Sequence, residues 1–377
     1  MNSKLGYWLA RQRACLAGWV LVALAVAVIG CGGGGGGGGT STTSATGSTT
    51  ATNSSTSSSS TSTSATTGTT GSTAGSGALP ANVIFYTQLD GTPDNAYDIR
   101  YITPNGTTDT ALVTGIPGTF ELVAINPNNG QYVFAAQATA GANYGIYSNT
   151  TVSLTGATQI IAPTFNDVAS LNVSQDGAHI VFLGALTSTS NYGLYVITPT
   201  SGLTIPIDTG NTSTISPDNV TVAYSNFSPS TTQIFLYNIT SGTKTQLTSN
   251  ANFNDYPQFS KDGTHLLYAQ LPSGGTNYSL VYSNGSGSSV KNIPNPSGLD
   301  IRGGSLNSSA STIAFVGRSS STVGLYTIAL SGSPQTTLKT SPLLSTNGVY
   351  WTTTLGRGIG SPALPASRVT RRRHMLP

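Results

Sequence analysis

The sequence predicts an all-β protein, a six-bladed β-propeller of four-stranded antiparallel blades, preceded by an export signal and a disordered linker. Three observations predict it. Short apolar runs recur at Val83–Tyr86, Tyr132–Ala135, Ile180–Leu183, Val220–Tyr224, Leu266–Ala269 and Ile313–Val316. A tyrosine closes the strand after each run, at Tyr101, Tyr147, Tyr195, Tyr237, Tyr282 and Tyr326, in steps of 46, 48, 42, 45 and 44 residues. A turn dipeptide precedes four of the runs (Asn129-Gly130, Asp176-Gly177, Asp218-Asn219, Asp262-Gly263) and supplies the positive φ of a tight hairpin. A period of about 40–50 residues with several short strands in each repeat suits stacked propeller blades.

The stretch Asn254–Asn295 shows one whole unit. Tyr256–Ser260 alternates apolar and polar, Lys261-Asp262-Gly263 turns, His265–Ala269 and Tyr278–Tyr282 are largely apolar, and Val290–Ile293 closes the unit. The second strand of each unit is apolar on both faces because blades stack on both its sides. The fourth strand is polar and carries Lys244, Lys291 or Lys339, which blunts an exposed sheet edge. The first unit has only Leu79-Pro80-Ala81 ahead of its second-strand run. The segment Asn347–Thr352 has no strand to follow it, so pairing these two ends closes the ring and bounds the propeller at 79–355.

The flanks read differently. Lys4, Arg11 and Arg13 precede an uncharged apolar run, Leu16–Ile29, the layout of a secretory signal over residues 1–30. Its end, Val28-Ile29-Gly30-Cys31, resembles the lipobox of bacterial lipoproteins. That resemblance implies export, cleavage before Cys31 and a lipid on its thiol, hence anchoring at a membrane. Gly32, where an Asp would retain such a protein, implies the outer membrane or the periplasmic or extracellular face. Residues 31–78 contain the glycine run Gly32–Gly39 and then almost only Ser, Thr, Gly and Ala, with nothing to bury. Such a tether spans roughly 38 Å root-mean-square. Residues 356–377, with Arg371-Arg372-Arg373-His374, read as a basic disordered tail, the alternative being contact with anionic lipid or glycan.

The turns Ser174-Gln-Asp-Gly177, Ser216-Pro-Asp-Asn219 and Ser260-Lys-Asp-Gly263, each followed by an apolar strand, resemble the Ser-Pro-Asp-Gly repeats of TolB-like (WD-repeat-like) propellers. The likeness spans Leu79–Thr354, with degraded copies at Asn126–Gly130 and Asn307–Ala310. It implies the propeller, and no particular activity, because this scaffold carries binding, scaffolding and enzymatic proteins alike.

Charged residues make up only 7% of the chain, and residues 79–356 hold seven cations against twelve acids, a net of −5. A mildly acidic body argues against nucleic-acid binding, which needs a dense basic surface. Both cysteines, Cys15 and Cys31, precede the body, which excludes disulfides and cysteine zinc sites within it. His179 and His265 occupy equivalent positions two repeats apart and do not converge. The sequence holds no Gly-x-Ser-x-Gly elbow and a single glutamate, Glu121, so a non-enzymatic protein without a cofactor is expected. The densest oxygen cluster, Asp90, Asp94, Asn95 and Asp98, has ligand types that suit calcium but lacks EF-hand spacing, and a solvated loop held by Asx-turns is the plainer reading.

In a propeller, the loops joining second to third strands and the links between blades open on one face. Here they carry Asp90, Asp94, Asp167, Asp208, Asp255 and Asp300, and Asn166-Asp167 and Asn254-Asp255 recur just before inner strands that border the channel. The candidate ligand-binding face is therefore Asp90, Asp94, Asp167, Asp255 and Asp300, where grouped carboxylates would focus a negative potential on a cation, basic peptide or polyol. The plain alternative is that these residues only cap inner strands. The resulting expectation is a membrane-anchored lipoprotein whose propeller binds protein, peptide or envelope glycan. Two others stand beside it: a metal-dependent lactonase- or lyase-like enzyme, and a passive structural envelope lipoprotein.

Overall fold

The computed structural model describes residues 79–91, 96–126, 129–188, 191–228, 231–287, 290–295, 297–319, 322–342, 344–351 and 359–360. The signal, Cys31, the tether, Asp94 and the tail beyond Gly360 lie outside these residues. The described chain is a six-bladed propeller of antiparallel sheets. Blade one holds β1 (Ile84–Leu89), β2 (Tyr97–Ile102) and β3 (Asp109–Ile116). Blade two holds β4 (Phe120–Ile125), β5 (Tyr132–Gln137), β6 (Tyr144–Asn149) and β7 (Thr158–Phe165). Blade three holds β8 (Asp167–Val173), β9 (Ile180–Ala185), β10 (Gly193–Thr198) and β11 (Leu203–Thr209). Blade four holds β12 (Thr212–Ile215), β13 (Thr221–Ser228), β14 (Thr231–Asn238) and β15 (Lys244–Gln246). Blade five holds β16 (Phe253–Phe259), β17 (His265–Leu271), β18 (Ser279–Asn284) and β19 (Val290–Asn292). Blade six holds β20 (Asp300–Leu306), β21 (Thr312–Arg318), β22 (Val323–Ala329) and β23 (Gln335–Thr340).

The ring closes as the sequence predicts. Strand β24 (Leu344–Trp351) returns to blade one as its inner strand and pairs with β1, Phe85 opposite Tyr350 and Tyr86 opposite Val349. Beyond this closure the chain adds one more strand. A two-residue strand, β25 (Ile359–Gly360), pairs with the free edge of β4, Ile359 opposite Val123, so blade two gains a fifth strand on its channel side.

The repeating tyrosine has a packing cause. In four blades it lies directly across the ladder from a second-strand phenylalanine: Phe85–Tyr101, Phe134–Tyr147, Phe182–Tyr195 and Phe315–Tyr326. Ring centroids are 5.0–6.0 Å apart. Such cross-strand aromatic pairs stabilise a sheet by roughly 0.2–1 kcal/mol each. The tyrosine ring also folds back over the glycine two residues earlier (Gly145, Gly193, Gly324), where any Cβ would clash with it. Hence the recurring Gly-x-Tyr pattern.

The core is a series of apolar layers between blades rather than one central mass. Ile84, Phe85, Phe134, Phe182, Leu183, Tyr224, Leu266 and Ile313 of the second strands are all fully buried. At the rim, two of the three lysines read as edge guards do more than repel a neighbouring sheet. Lys339 reaches from β23 to Asp109 of β3 (2.6 Å) and to the Tyr86 hydroxyl (2.8 Å), joining blade six to blade one. Lys244 of β15 pairs with Asp208 of β11, which also accepts the Tyr224 hydroxyl at 2.8 Å, joining blades four and three. Burial raises the two aspartates, but the lysine hydrogen bonds lead a set of partners that outweighs it and holds both below the usual carboxylate range.

Candidate functional site

The first-to-second-strand turns form one end of the blades. In each Ser-x-Asp-x turn the serine hydroxyl donates to the aspartate two residues on: Ser174 to Asp176 (2.6 Å), Ser216 to Asp218, Ser260 to Asp262 (2.5 Å). The same serine accepts the N–H that opens the second strand, from His179, Thr221 or His265. Gly177, Asn219 and Gly263 sit at φ of 71°, 64° and 72°, the left-handed conformation that such a turn requires. Neighbouring turns touch. The Gln175 N–H donates to Asn219 at 2.7 Å, and Gly177 lies so close against Asn126 that a Cβ would clash. These acids do local turn work.

Four of the five sequence-predicted site residues, Asp90, Asp167, Asp255 and Asp300, belong to the opposite end, and the structure treats them unequally. Asp90 is exposed after β1. Asp167 is 8% exposed and accepts the Tyr192 hydroxyl at 2.5 Å. Asp255 is 7% exposed; one carboxylate oxygen accepts Thr212 (2.6 Å) and Ser225 (2.5 Å) of blade four together with the Tyr256 N–H (2.8 Å). Its neighbour Asn254 is fully buried, donating to Gln233 (3.1 Å) and accepting from Gln270 (2.8 Å). The Asn254-Asp255 pair therefore ties blade four to blade five. No three acids, histidines or cysteines among the described residues gather as metal ligands would.

Asp300 stands apart. It accepts the Tyr278 N–H at 3.0 Å through one oxygen and the Arg302 Nε–H at 2.9 Å through the other. The Arg302 guanidinium lies 5.7 Å from the Tyr278 ring centroid, and Tyr278 meets Tyr256 edge to face at 6.2 Å. Arg302 keeps 39% of its side chain exposed. Burial works against its charge, but Tyr256 and Asp300 outweigh that and raise its pKa, so it stays cationic. Burial first, then Asp255 and Tyr256, pushes the Tyr278 hydroxyl well up, so it stays neutral.

Backbone irregularity positions this cluster. The inner strands of five blades slip register against the second strand: β24 opposite Tyr86 and Gln88 of β1, and the others between Phe120 and Leu122, Val168 and Ser170, Asp255 and Gln258, and Ile301 and Gly304. Bulges re-aim side chains. In β16 the bulge holds Tyr256, at φ 56°, and Pro257; in β20 it holds Arg302 and Gly303, the latter at φ 90°. The two bulges fit together, with a Cβ on Gly303 falling 3.3 Å from that of Tyr256. A bulky tyrosine at positive φ is rare and costs roughly 1–3 kcal/mol. Arg302, Tyr256 and Tyr278 were not singled out from the sequence. The available signal was that Arg302, one of only seven cations in the body, lies two residues from Asp300 at the start of an inner strand.

No family model matches this chain, and no curated protein matches it. Solved structures do. TolB from Acinetobacter baumannii superposes with a TM-score of 0.57 at 19% identity over 72% of this chain, which spans 66% of that protein's length. A structure assigned as TolB from Agrobacterium tumefaciens gives 0.51 at 17% identity, covering 74% of this chain and 94% of that one. A chain of the nidogen/laminin complex gives 0.53 at 11% identity, covering 71% and 97%. At these identities the likeness concerns the fold: a six-bladed propeller structurally similar to the propeller domains of TolB proteins.

Proposed function

We propose that this chain is an exported lipoprotein whose propeller is a binding module, held at a membrane through a lipid on Cys31 and presenting the Arg302–Tyr256 end of its channel to a protein, peptide or envelope glycan. The observation that carries the binding half is Tyr256 at φ 56° beside an exposed Arg302 that Asp300 and Tyr278 hold in place. Local strain together with an oriented, solvent-facing cation is what a rigid scaffold retains where it meets a ligand. The anchoring half is supported by the lipobox-like Val28–Cys31 and by the polar stretch that follows it.

Two measurements test the halves separately. Cys31→Ala should move the protein from the membrane to the soluble fraction; continued labelling with a palmitate analogue sinks the anchor. Envelope partners cross-linked to the full-length chain should be lost from a Tyr256→Gly/Arg302→Gln double variant and kept by Lys291→Gln, a rim control. A partner set unchanged by the double variant places the binding surface elsewhere.

A further inference from the structure

Resting on that reading, we infer that Arg302 is the carboxylate-recognising group of the channel mouth, and that its ligand is an extended peptide carrying a carboxylate, at its chain end or on an acidic side chain. Asp300 takes the Nε–H of Arg302 at 2.9 Å and the Tyr278 ring lies 5.7 Å from the guanidinium, so the side chain is fixed at its stem side. Its terminal nitrogens have no partner among the described residues, and 39% of the side chain faces solvent. A guanidinium held in this way presents a planar pair of N–H donors, which matches a carboxylate bidentately. The tyrosines beside it, Tyr278 and Tyr256, make one flank of the site apolar and lower the competition from water.

The other cations of the body are differently placed. Arg100, Lys244 and Lys339 are tied to rim acids. Lys261 sits in a hairpin turn at the far end of its blade, and Lys291 is exposed on an outer strand. Arg318 is the ladder partner of Asp300 and exposed, and it adds positive charge beside the site. Asp300 at the back of Arg302 cancels part of its field. The site thus suits a singly charged carboxylate better than a phosphate dianion.

That the carboxylate belongs to a peptide follows from β25. Ile359–Gly360 pairs antiparallel with the channel-side edge of β4, so an inner strand of this ring already accepts an extended main chain. Among the described residues, the inner strands of the other blades end their sheets with no such partner. They offer the same ladder of backbone donors and acceptors to a strand arriving from another protein.

The test is an array of random-sequence short peptides in three versions: free carboxyl terminus, amidated terminus, and amidated with every Asp and Glu replaced by Asn and Gln. Each is probed with the full-length protein. Wild type should retain a peptide set whose binding falls at least tenfold on removal of the responsible carboxylate, the second and third versions separating terminus from side chain. Arg302→Gln should lose that set, Arg302→Lys should keep it weakly, and Lys291→Gln should keep it fully, with all three melting near wild type. Peptides held equally by Arg302→Gln and by the carboxylate-free version overturn the inference while the channel-mouth reading stands, provided Tyr256→Gly still abolishes them. Uronate-bearing glycans are spotted on the same array, and their retention with that of no peptide overturns the peptide assignment. Binding of neither class overturns both.

Discussion

The two ends of the blades use the same residue, aspartate, in opposite ways. At the turn end Asp176 and Asp262 are exposed, and each serves one four-residue turn through a serine hydroxyl and a backbone N–H close in sequence. At the link end Asp167 and Asp255 are buried; Asp167 accepts a hydroxyl 25 residues away, and Asp255 accepts hydroxyls 43 and 30 residues away. Turn acids shape local backbone. Link acids hold the third strand or the next blade in place. Asp300 is the exception, because its partner Arg302 remains open to solvent.

The comparison breaks first at Asp255. Asp255→Ala would remove the acceptor that the Thr212 and Ser225 hydroxyls share in the joint between blades four and five; the two hydroxyls lie 2.9 Å apart and the Tyr256 N–H keeps Thr212 Oγ1 at 3.0 Å, so one buried hydroxyl is left without an acceptor. An orphaned buried donor costs about 1–3 kcal/mol, so a loss of about 2–3 kcal/mol is expected, read from urea midpoints. Asp255→Asn should recover part of it, since an amide oxygen still accepts. A loss near 1 kcal/mol would put Asp255 in the same class as the turn acids.

The turn acids should give the middle-sized effect, with a pH signature. In Asp262 the Ser260 hydroxyl and then the Thr264 N–H hold the pKa below the usual range. In Asp176 burial pushes up, but Ser174 and the Ala178 N–H outweigh it and the pKa is again depressed. A depressed pKa contributes stability that is complete above the unfolded value of about 4 and is lost as pH falls through the folded value. Asp176→Ala/Asp262→Ala should therefore cost roughly 1–2 kcal/mol at neutral pH and flatten the acid limb of the stability curve below about pH 4. Asp109 and Asp208, depressed at the rim, keep some slope in that limb. An acid limb as steep as wild type would mean that these turns hold no carboxylate-dependent stability.

This division also explains what could be read from the sequence. The propeller was legible because its signals are local and repeated: a turn of four residues, an apolar run, a tyrosine opposite a phenylalanine. Closure was legible because Val83–Tyr86 lacked a neighbour at one end of the body and Asn347–Thr352 at the other. The partners of Asp255 were hidden, since no pattern marks one threonine or serine among so many as the group that will face it. The rim lysines looked like edge guards because Asp109 and Lys339 are 230 residues apart and meet only once the ring closes. The candidate site was half visible: Asp300 was named, but Arg302 owes its placement to a bulge that composition does not announce. The fifth strand of blade two arises from main-chain pairing, which no side chain in Ile359–Gly360 signals.

The smallest effect is the sharpest test of the link end's special backbone. In an ordinary strand glycine is less stable than alanine by roughly 0.5–1 kcal/mol, because its unfolded chain is freer. At Tyr256, φ 56°, the order should reverse, since any Cβ in the left-handed region costs about 1–2 kcal/mol that glycine avoids. Both substitutions lose the edge-to-face contact with Tyr278, worth about 0.5–1.5 kcal/mol, so that term cancels between them. Tyr256→Gly should thus lie within about 1 kcal/mol of wild type and above Tyr256→Ala. Ala169 supplies the control: it occupies the matching bulge of β8 and is not among the residues at positive φ, so Ala169→Gly should follow the ordinary order and destabilise. Urea midpoints of the three variants decide it. If Tyr256→Ala equals or exceeds Tyr256→Gly, the backbone at Tyr256 is unstrained, and the channel mouth loses the feature that separates it from the other inner-strand bulges.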